Sequence, residues 1–194
     1  MKVTRTYTMR ARAVAAEQTR ERILEAVHDL ALQKPFTAIA LPEVAERAGV
    51  SVQTILRQFG SRDGLLDATT DFGRAQIVQE RRVEPGDRVA AVRNVIDHYE
   101  RVGDGILMIL NQESWDARAK SITDSGKTFH RQWVEAVFAP LLADRPKAER
   151  VEALDLLVVA TDIYTWKLLR RDRGLSRAAT ERRVLRLVNS ILEG

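Results

Sequence analysis

The sequence predicts an all-α fold, and three observations support this. Apolar residues recur at helical three- and four-residue spacing along most of the chain. Turns that contain glycine, proline or aspartate divide this pattern into about nine helices, and no segment has the pattern of a strand. Near the N terminus, two short amphipathic segments are joined by one glycine, Gly49. We therefore expect an N-terminal three-helix domain with a helix-turn-helix, followed by a C-terminal helical domain.

Composition places the chain among ordinary soluble globular proteins. Of 194 residues, 45% are hydrophobic and 30% are charged, which is enough to bury a core. No apolar run approaches twenty residues, so we expect no membrane span. The basic residues 1–16 lack the apolar stretch of a secretory signal. The absence of cysteine excludes disulfides and thiolate metal sites and fits a cytoplasmic protein.

The first helix is predicted from about Val14 to Gln33. The preceding residues 1–12 carry basic but no acidic side chains, which is typical of a flexible arm that places arginines in the minor groove. An unstructured, solvated tail is the alternative for residues 1–9, so Arg10 and Arg12 are the candidates. Lys34-Pro35 ends the helix. Its buried stripe recurs at three- and four-residue spacing and comprises Ile23, Leu24, Val27, Leu30 and Ala31.

The next two helices are predicted over about 42–48 and 52–59. Pro42 suits a first helical position, and Gly49 suits the left-handed residue that ends a helix. Ser51 is predicted to cap the following helix through its hydroxyl group. Ile55 and Phe59, four residues apart, give that helix one buried side. Two helices joined in this way form a helix-turn-helix, whose second helix enters the major groove of DNA.

The chain resembles the tetracycline-repressor (TetR) family over roughly its first seventy residues. The family signature Ile-Ala-x-x-Ala-Gly-Val-Ser-x-x-Thr-Leu-Tyr-x-x-Phe-x-x-Lys-x-x-Leu stands here as Val44-Ala45, Ala48-Gly49-Val50-Ser51, Thr54-Ile55-Leu56, Phe59, Arg62 and Leu65. Leu56 replaces a tyrosine that contacts the DNA backbone in the family. Ala40 replaces the Ser or Thr of a capping box with Glu43, which should weaken that helix start.

Residues 1–62 form the predicted DNA-binding domain. They hold ten Lys/Arg and six Asp/Glu, whereas the remaining residues hold twenty-one of each, so all the excess positive charge lies in this part. Such an asymmetry favours binding to phosphates, although a basic tail of a soluble protein would also produce it. The predicted DNA contacts are Arg10, Arg12, Ser51, Val52, Gln53, Thr54, Arg57, Gln58 and Arg62.

Residues 63–86 form a predicted connecting segment, which contains most of a fourth helix that opens at Gly60–Asp63 and ends at about Val83. Ser61 is its expected N-cap, and the free amides there, with Arg62, suit a phosphate. Glu84–Asp87 is a clear break. The resemblance implies that this helix links the DNA-binding domain to an effector-binding domain and acts as the switch.

Residues 87–194 form the predicted second domain, with helices over about 88–102, 105–113, 117–139, 146–173 and 177–192. The middle of the fourth of these is apolar on more than one face, so it must be covered on two sides. Two helix hairpins paired across a two-fold axis would cover it, as the resemblance also implies, while a core helix in a monomer is the alternative. The predicted homodimer contacts are Leu157, Thr161, Tyr164, Leu168, Val184, Leu187, Val188 and Ile191.

Aromatic and sulfur-containing residues occur in several helices of the predicted second domain. The resemblance implies that these helices enclose a ligand pocket, as the corresponding helices do in the TetR family. Aromatic walls with one or two polar groups are typical of small-molecule sites, although aromatic residues at helical spacing also form plain core. A hydrophobic small molecule is therefore the expected effector. The candidate ligand-binding residues are Tyr99, Met108, Trp115, Phe129, His130, Trp133 and Phe138.

The sequence contains no catalytic motif that we recognise. It has no phosphate-binding glycine motif, HExxH or nucleophile elbow, and its three histidines are isolated. We therefore expect no enzyme, metal or cofactor, but a ligand-released repressor that binds a palindromic double-stranded DNA operator as a homodimer. Three alternatives stay open: a regulator without an effector, a protein-interaction module that has lost specific DNA binding, and a helical protein that binds or converts small molecules.

Overall fold

A computed structural model describes the backbone of residues 3–194 and the side chains of residues 10–194. Within that part of the chain every regular element is helical, which confirms the all-α prediction. The chain divides into two compact units, an N-terminal unit, Met1–Gln76, and a C-terminal unit, Ile77–Gly194. This division falls within the predicted connecting segment 63–86.

The N-terminal unit is built from α1 (Val3–Ala31), α2 (Leu41–Ala48), α3 (Val52–Phe59) and the first part of α4 (Arg62–Glu80). The apolar stripe predicted for α1 is buried, and each other helix adds apolar side chains to the same core. Burying one such side chain contributes about 1.5–3 kcal/mol, so the core fixes how α2 and α3 pack. The residues contributed by α2, α3 and α4 include Val44, Ala45, Ala48, Ile55, Leu65 and Leu66.

The predicted flexible arm is wrong for residues 3–12, because α1 already begins at Val3. Alanine, arginine and methionine dominate residues 9–16, and these are among the strongest helix formers. With no glycine or proline before Lys34, nothing in the sequence stops the helix from extending toward the N terminus. Residues 1–2 of the predicted arm lie outside the described residues.

The C-terminal unit contains α5 (Arg88–Leu110), α6 (Ala117–Phe138), α7 (Lys147–Ala160), α8 (Ile163–Lys167) and α9 (Arg177–Glu193). A π-helical turn, Leu168–Asp172, follows α8. These helices surround one apolar core to which α5, α6, α7, α8 and α9 all contribute. The largest fully buried side chains there are Trp166, Phe138, Ile96, Leu142 and Leu157.

The predicted break at Gly103–Gly105 is wrong, because α5 runs through both glycines. A Cβ atom at Gly103 would lie only 2.6 Å from ring atoms of Trp166. The glycine is therefore required for close packing of α5 against that indole, and it does not end the helix.

The predicted continuous helix 146–173 is also wrong, because the helix is interrupted at Thr161 and Asp162. The Thr161 hydroxyl donates to the Leu157 carbonyl at 2.7 Å, and the Asp162 carboxylate accepts from the Tyr164 N–H at 2.8 Å. Short polar side chains that bond to the backbone compete with the helix in this way. The result is a new helix start at α8.

Four of the eight predicted dimer contacts belong instead to the chain's own core. Leu157, Thr161, Val184 and Val188 are at most 2% exposed. Side chains enclosed by their own unit have no surface left for a second copy, so these four predictions are corrected. Tyr164, Leu168 and Leu187 are exposed and Ile191 is half-buried.

Candidate functional site

The turn between α2 and α3 has the predicted geometry. Gly49 ends α2 in the left-handed conformation, with φ 66° and ψ 40°, where a glycine meets no Cβ penalty. The Val50 N–H then donates to the Ala45 carbonyl at 2.9 Å. Ser51 is the N-cap of α3, since its Oγ accepts from the Thr54 N–H at 3.1 Å. Local bonds therefore fix the direction in which α3 leaves the turn.

The two faces of α3 differ sharply. Ile55 is fully buried, whereas Gln53, Leu56 and Arg57 are exposed. An arginine fork matches guanine O6/N7, and a glutamine amide matches adenine N6/N7. The exposed face of α3 therefore carries two side chains suited to hydrogen bonds with base edges. The opposite face is anchored in the core of the unit by Ile55.

Three other candidates on α3 are less accessible. Val52, Thr54 and Gln58 are half-buried. The Thr54 hydroxyl lies 3.0 Å from the Ser51 hydroxyl, and the Gln58 Oε1 is enclosed without a hydrogen-bond partner. Gln58 therefore turns its carbonyl oxygen into the unit, which leaves Gln53 and Arg57 as the best-presented polar side chains.

Arg62 has a structural role that the sequence did not indicate. Its Nε donates to the Ile39 carbonyl at 2.9 Å, a terminal nitrogen donates to the Phe36 carbonyl, and the other terminal nitrogen lies 3.8 Å from the Asp63 carboxylate. A guanidinium committed to these acceptors is not free for a phosphate. The structure therefore does not support a DNA contact for Arg62, which fastens α4 to the loop before α2.

Arg10 and Arg12 are exposed on α1 rather than on an arm.

Two further contacts that were not predicted support the helix-turn-helix. Lys34 pairs with Glu43 at 2.5 Å, which engages the glutamate that has no capping-box partner at Ala40, and Arg47 pairs with Asp29 at 2.9 Å. The first links α2 to the turn after α1, the second links α2 to the end of α1, and neither follows from spacing on a single helix.

The candidate ligand-binding residues are only partly brought together. Tyr99, His130, Trp133 and Phe138 are buried, but Trp115 is 60% exposed and lies outside the group. Phe138 is fully buried, with its ring edge-on to Trp133 at 6.2 Å, so it is core. Trp115 and Phe138 are thus corrected as pocket residues. Met108 and Phe129 are half-buried.

A residue that the sequence analysis missed, Arg81, organises the remaining group. It is 4% exposed, and its guanidinium lies over the Trp133 ring, 4.0 Å from the centroid. The Trp133 indole N–H donates to the Arg81 carbonyl at 2.7 Å. A terminal Arg81 nitrogen lies 3.4 Å from Nδ1 of His130. Arg81 lies in the turn just after α4, outside any helix, so the spacing of residues on a helix could not have indicated its position.

The hydrogen bonds define the protonation of His130. Arginine can only donate, so Nδ1 of His130 accepts and Nε2 carries the proton. Nε2 lies 3.2 Å from the Thr161 hydroxyl and 3.4 Å from the Val158 carbonyl. The Tyr99 hydroxyl in turn donates to the Thr161 carbonyl at 3.2 Å. The break before α8 is therefore tied to α5 and α6 by a buried polar network.

Burial sets the ionisation of this network. Burial, assisted by the positive charge of Arg81, lowers the pKa of His130 to about 4. Burial, assisted by Arg81 and Arg101, lowers the pKa of His98 to about 3. Burial also lowers the pKa of Arg81 and raises that of Tyr99 to about 12. Both histidines and the tyrosine are neutral at pH 7.

A cleft of about 280 Å³ opens beside this network. Arg81 and Trp133 belong to its lining, and Phe129 is the other predicted ligand-binding residue there. The remaining lining residues are Val78, Arg82, Val83, Pro85, Gln132, Ala136 and Val137. The volume is close to the lower end of the range for small-molecule sites, and mostly apolar walls with a few polar or charged groups are typical of them.

Two further properties concern only the described part of the chain. It holds no group of three histidine or acidic residues placed to bind a metal ion. None of its helices is both long and apolar enough to cross a membrane.

Comparison with known sequences connects the helix-turn-helix to a family. The family model for bacterial regulatory proteins of the tetR family matches residues 23–69. The HTH-type transcriptional regulator AlkX of Mycobacterium tuberculosis is 32% identical over 145 residues, or 74% of this chain and 65% of that protein. The uncharacterized HTH-type transcriptional regulator YvkB of Bacillus subtilis is 42% identical over 50 residues, 26% of each protein. The chain thus spans less than two thirds of either relative.

Solved structures match over a longer part of the chain. A tetR-family transcriptional regulator from Streptomyces coelicolor superimposes with a TM-score of 0.66 and 17% identity, over 90% of this chain and 80% of that one. A transcriptional regulator from Rhodococcus sp. Rha1 gives a TM-score of 0.61 and 19% identity, over 90% and 96%. At these identities the likeness establishes the fold.

Proposed function

Because this chain belongs to the TetR family of bacterial regulatory proteins, we propose that it is a DNA-binding transcription regulator of the cytoplasm and not an enzyme. The observation that carries this is α3 itself. Ser51 caps it, Ile55 anchors it, and Gln53 and Arg57 stand on its free face. These are the features of a helix that contacts base edges in the major groove.

Gln53 and Arg57 are the proposed base contacts. Ser51 and Thr54 stand at the start of α3, where hydroxyl groups and free amides suit phosphate oxygens. Val52 and Gln58, both half-buried, play a supporting part at the edge of the contact. Arg10 and Arg12 supply exposed positive charge for the DNA backbone.

The regulator acts as a homodimer in this proposal. Exposed apolar side chains continue along α7, α8 and the π-helical turn, and α9 adds one more. Monomeric proteins rarely expose so many large apolar side chains on neighbouring helical elements. A dimer would place two copies of α3 about 34–36 Å apart, one turn of DNA. The exposed residues are Leu156, Val159, Tyr164, Leu168 and Leu187.

A small molecule releases the regulator from its operator, as in a repressor. The cleft beside Arg81 supports an effector, since it lies where α4 ends. A ligand that binds one conformation more tightly shifts the population toward it and thereby changes DNA affinity. A regulator without an effector is the second candidate, which the small volume of the cleft favours.

Selection of duplex DNA from a random pool by the purified protein, followed by fluorescence anisotropy, tests the function. We expect one palindromic sequence to be enriched and its affinity to fall steeply with salt. Arg186→Ala, an exposed arginine on α9, is the control that should leave this affinity unchanged. Failure to enrich any sequence, with binding insensitive to salt, would favour a protein-interaction module instead.

A further inference from the structure

Arg81 is a buried cation that no acidic side chain neutralises. It is 4% exposed, and its neighbours are the neutral Trp133 ring, His130 and Tyr99. Its Nε is enclosed and has no hydrogen-bond partner. An unpaired charge in a dry environment is costly, so a protein retains it only where something else is gained.

Two acidic side chains close to this network are engaged elsewhere. Glu80 pairs with Arg101, and its Oε2 lies 3.5 Å from Nδ1 of His98. Asp162 is held as the N-cap of α8 by the Tyr164 N–H. Among the described residues, therefore, no carboxylate forms an ion pair with Arg81.

The cleft offers a route to this charge. Arg81 is part of its lining, while valine, proline, alanine and aromatic side chains form most of the remaining wall. Arg82 also lines the cleft, but its side chain is exposed to solvent. A ligand with an apolar body would replace water along the wall, and an anionic end would supply the missing partner of Arg81.

We propose that Arg81 anchors a small hydrophobic carboxylate in this cleft. The carboxylate accepts from Nε and neutralises the guanidinium, while the apolar part lies against Phe129 and Trp133. This inference rests on the proposed function, because it names the chemical class of that regulator's effector. A site of this kind differs from a purely apolar pocket in its ligand preference, because a purely apolar pocket would accept alcohols, amides and acids of one size almost equally.

The position of Arg81 explains how a ligand bound in the cleft would influence the DNA-binding helices. Arg81 follows α4 directly, and its N–H donates to the Ile77 carbonyl at 2.9 Å, which continues the helical bonding of α4. The other end of α4 begins at Arg62, which is bonded to the loop before α2. A ligand that fixes Arg81 therefore fixes the last turn of the helix that leads to the helix-turn-helix.

Calorimetric titration and thermal unfolding of the full chain with two probes test the proposal. Sodium octanoate and octanamide have the same length and shape, but only the first carries a charge. We expect octanoate to raise the Tm and to bind at least about tenfold more tightly than octanamide, a difference of about 1.4 kcal/mol. Equal binding of the two probes, or no binding of octanoate, would overturn the proposal.

Two variants locate the binding. Arg81→Gln should abolish the preference for octanoate, whereas Arg82→Gln should retain most of it. Loss of the preference in Arg82→Gln but not in Arg81→Gln would show that Arg82 binds the carboxylate, which would contradict the proposal. If Arg81→Gln does not fold, the comparison of the two probes on the unaltered chain still decides the question.

Duplex DNA binding, measured in parallel, separates this inference from the proposed function. Octanoate should release the unaltered chain from the selected operator, but it should no longer change the operator affinity of Arg81→Gln. If the unaltered chain bound octanoate selectively but bound no DNA, the regulator proposal would fail while the carboxylate site would stand.

Discussion

The guanidinium of Arg81 lies 4.0 Å above the ring of Trp133, while the indole N–H of Trp133 donates to the Arg81 carbonyl at 2.7 Å. The two residues are thus joined twice, once through side chains and once through the backbone. This pair holds the chain just after α4 against α6, and both residues line the cleft.

Trp133→Phe is expected to destabilise the protein by about 1–3 kcal/mol, because it retains an aromatic ring but leaves the buried Arg81 carbonyl without its donor. Unfolding in urea, followed by circular dichroism, measures the difference. Trp115→Phe is the matched control, since Trp115 is 60% exposed and the same change there should be neutral. Equal stability of the two variants would contradict the role given to the pair.

The stability of the fold should fall as the pH is lowered from 7 to 5. The folded-state pKa values of His98 and His130 are about 3 and about 4, against about 6.5 in the unfolded chain, so unfolding takes up protons in this window. Each histidine should contribute on the order of 1–2 kcal/mol to this loss, and stability returns as the pH rises past 6.5.

Urea unfolding at both pH values tests this, with His130→Gln as the comparison. The variant should lose a clear part of the difference between pH 7 and pH 5, because glutamine does not titrate. A wild-type protein equally stable at both values would show that the two imidazoles are not buried as described.

Two glycine substitutions should have opposite effects. Gly103→Ala places a Cβ 2.6 Å from the Trp166 ring and should cost about 1–3 kcal/mol through overpacking. Gly126→Ala, in the middle of α6 with no heavy atom within 4 Å, should stabilise by up to about 1 kcal/mol through helix propensity. Thermal unfolding distinguishes them, and a stabilising Gly103→Ala would refute the close packing of α5 on Trp166.

Val159→Glu together with Leu168→Glu should convert the proposed dimer into a folded monomer. Both side chains are exposed, at 63% and 58%, so the charges disturb the interface and not the core of the chain. Light scattering after size exclusion measures the mass. Val89→Glu, on an exposed valine of α5, should leave the dimer intact. A dimer that survives the double substitution would place the interface elsewhere.

Ser51→Ala should remove the N-cap of α3 and cost about 1 kcal/mol, while Ser51→Asp should retain most of the stability, because aspartate also caps helices well. Chemical denaturation of the two variants measures this. The same loss in both would mean that the hydroxyl of Ser51 serves something other than the helix start.

Features fixed by neighbours along the chain could be predicted from the sequence. The cap at Ser51, the left-handed Gly49 and the buried Ile55 all depend on residues within one turn, and the structure has each of them. The resemblance to the TetR family gave the same assignment independently.

Features fixed by packing between distant elements could not be predicted. Gly103 has the appearance of a break until Trp166 is placed against it, more than sixty residues later. Leu157 and Val188 cannot be assigned to a core or to an interface from helical spacing, because both positions are apolar in the same way. Arg81 acquires its role only when Tyr99 of α5 and His130 and Trp133 of α6 are placed around it.

Fluorescence anisotropy of the selected operator with the Gln53→Ala, Arg57→Ala double variant tests the central claim most directly. The variant should keep its mass and thermal stability but lose specific binding, by about 1–3 kcal/mol for each base-edge contact removed, while weak salt-dependent binding to unrelated DNA remains. Unchanged affinity for the operator in a folded double variant would show that α3 does not contact the bases.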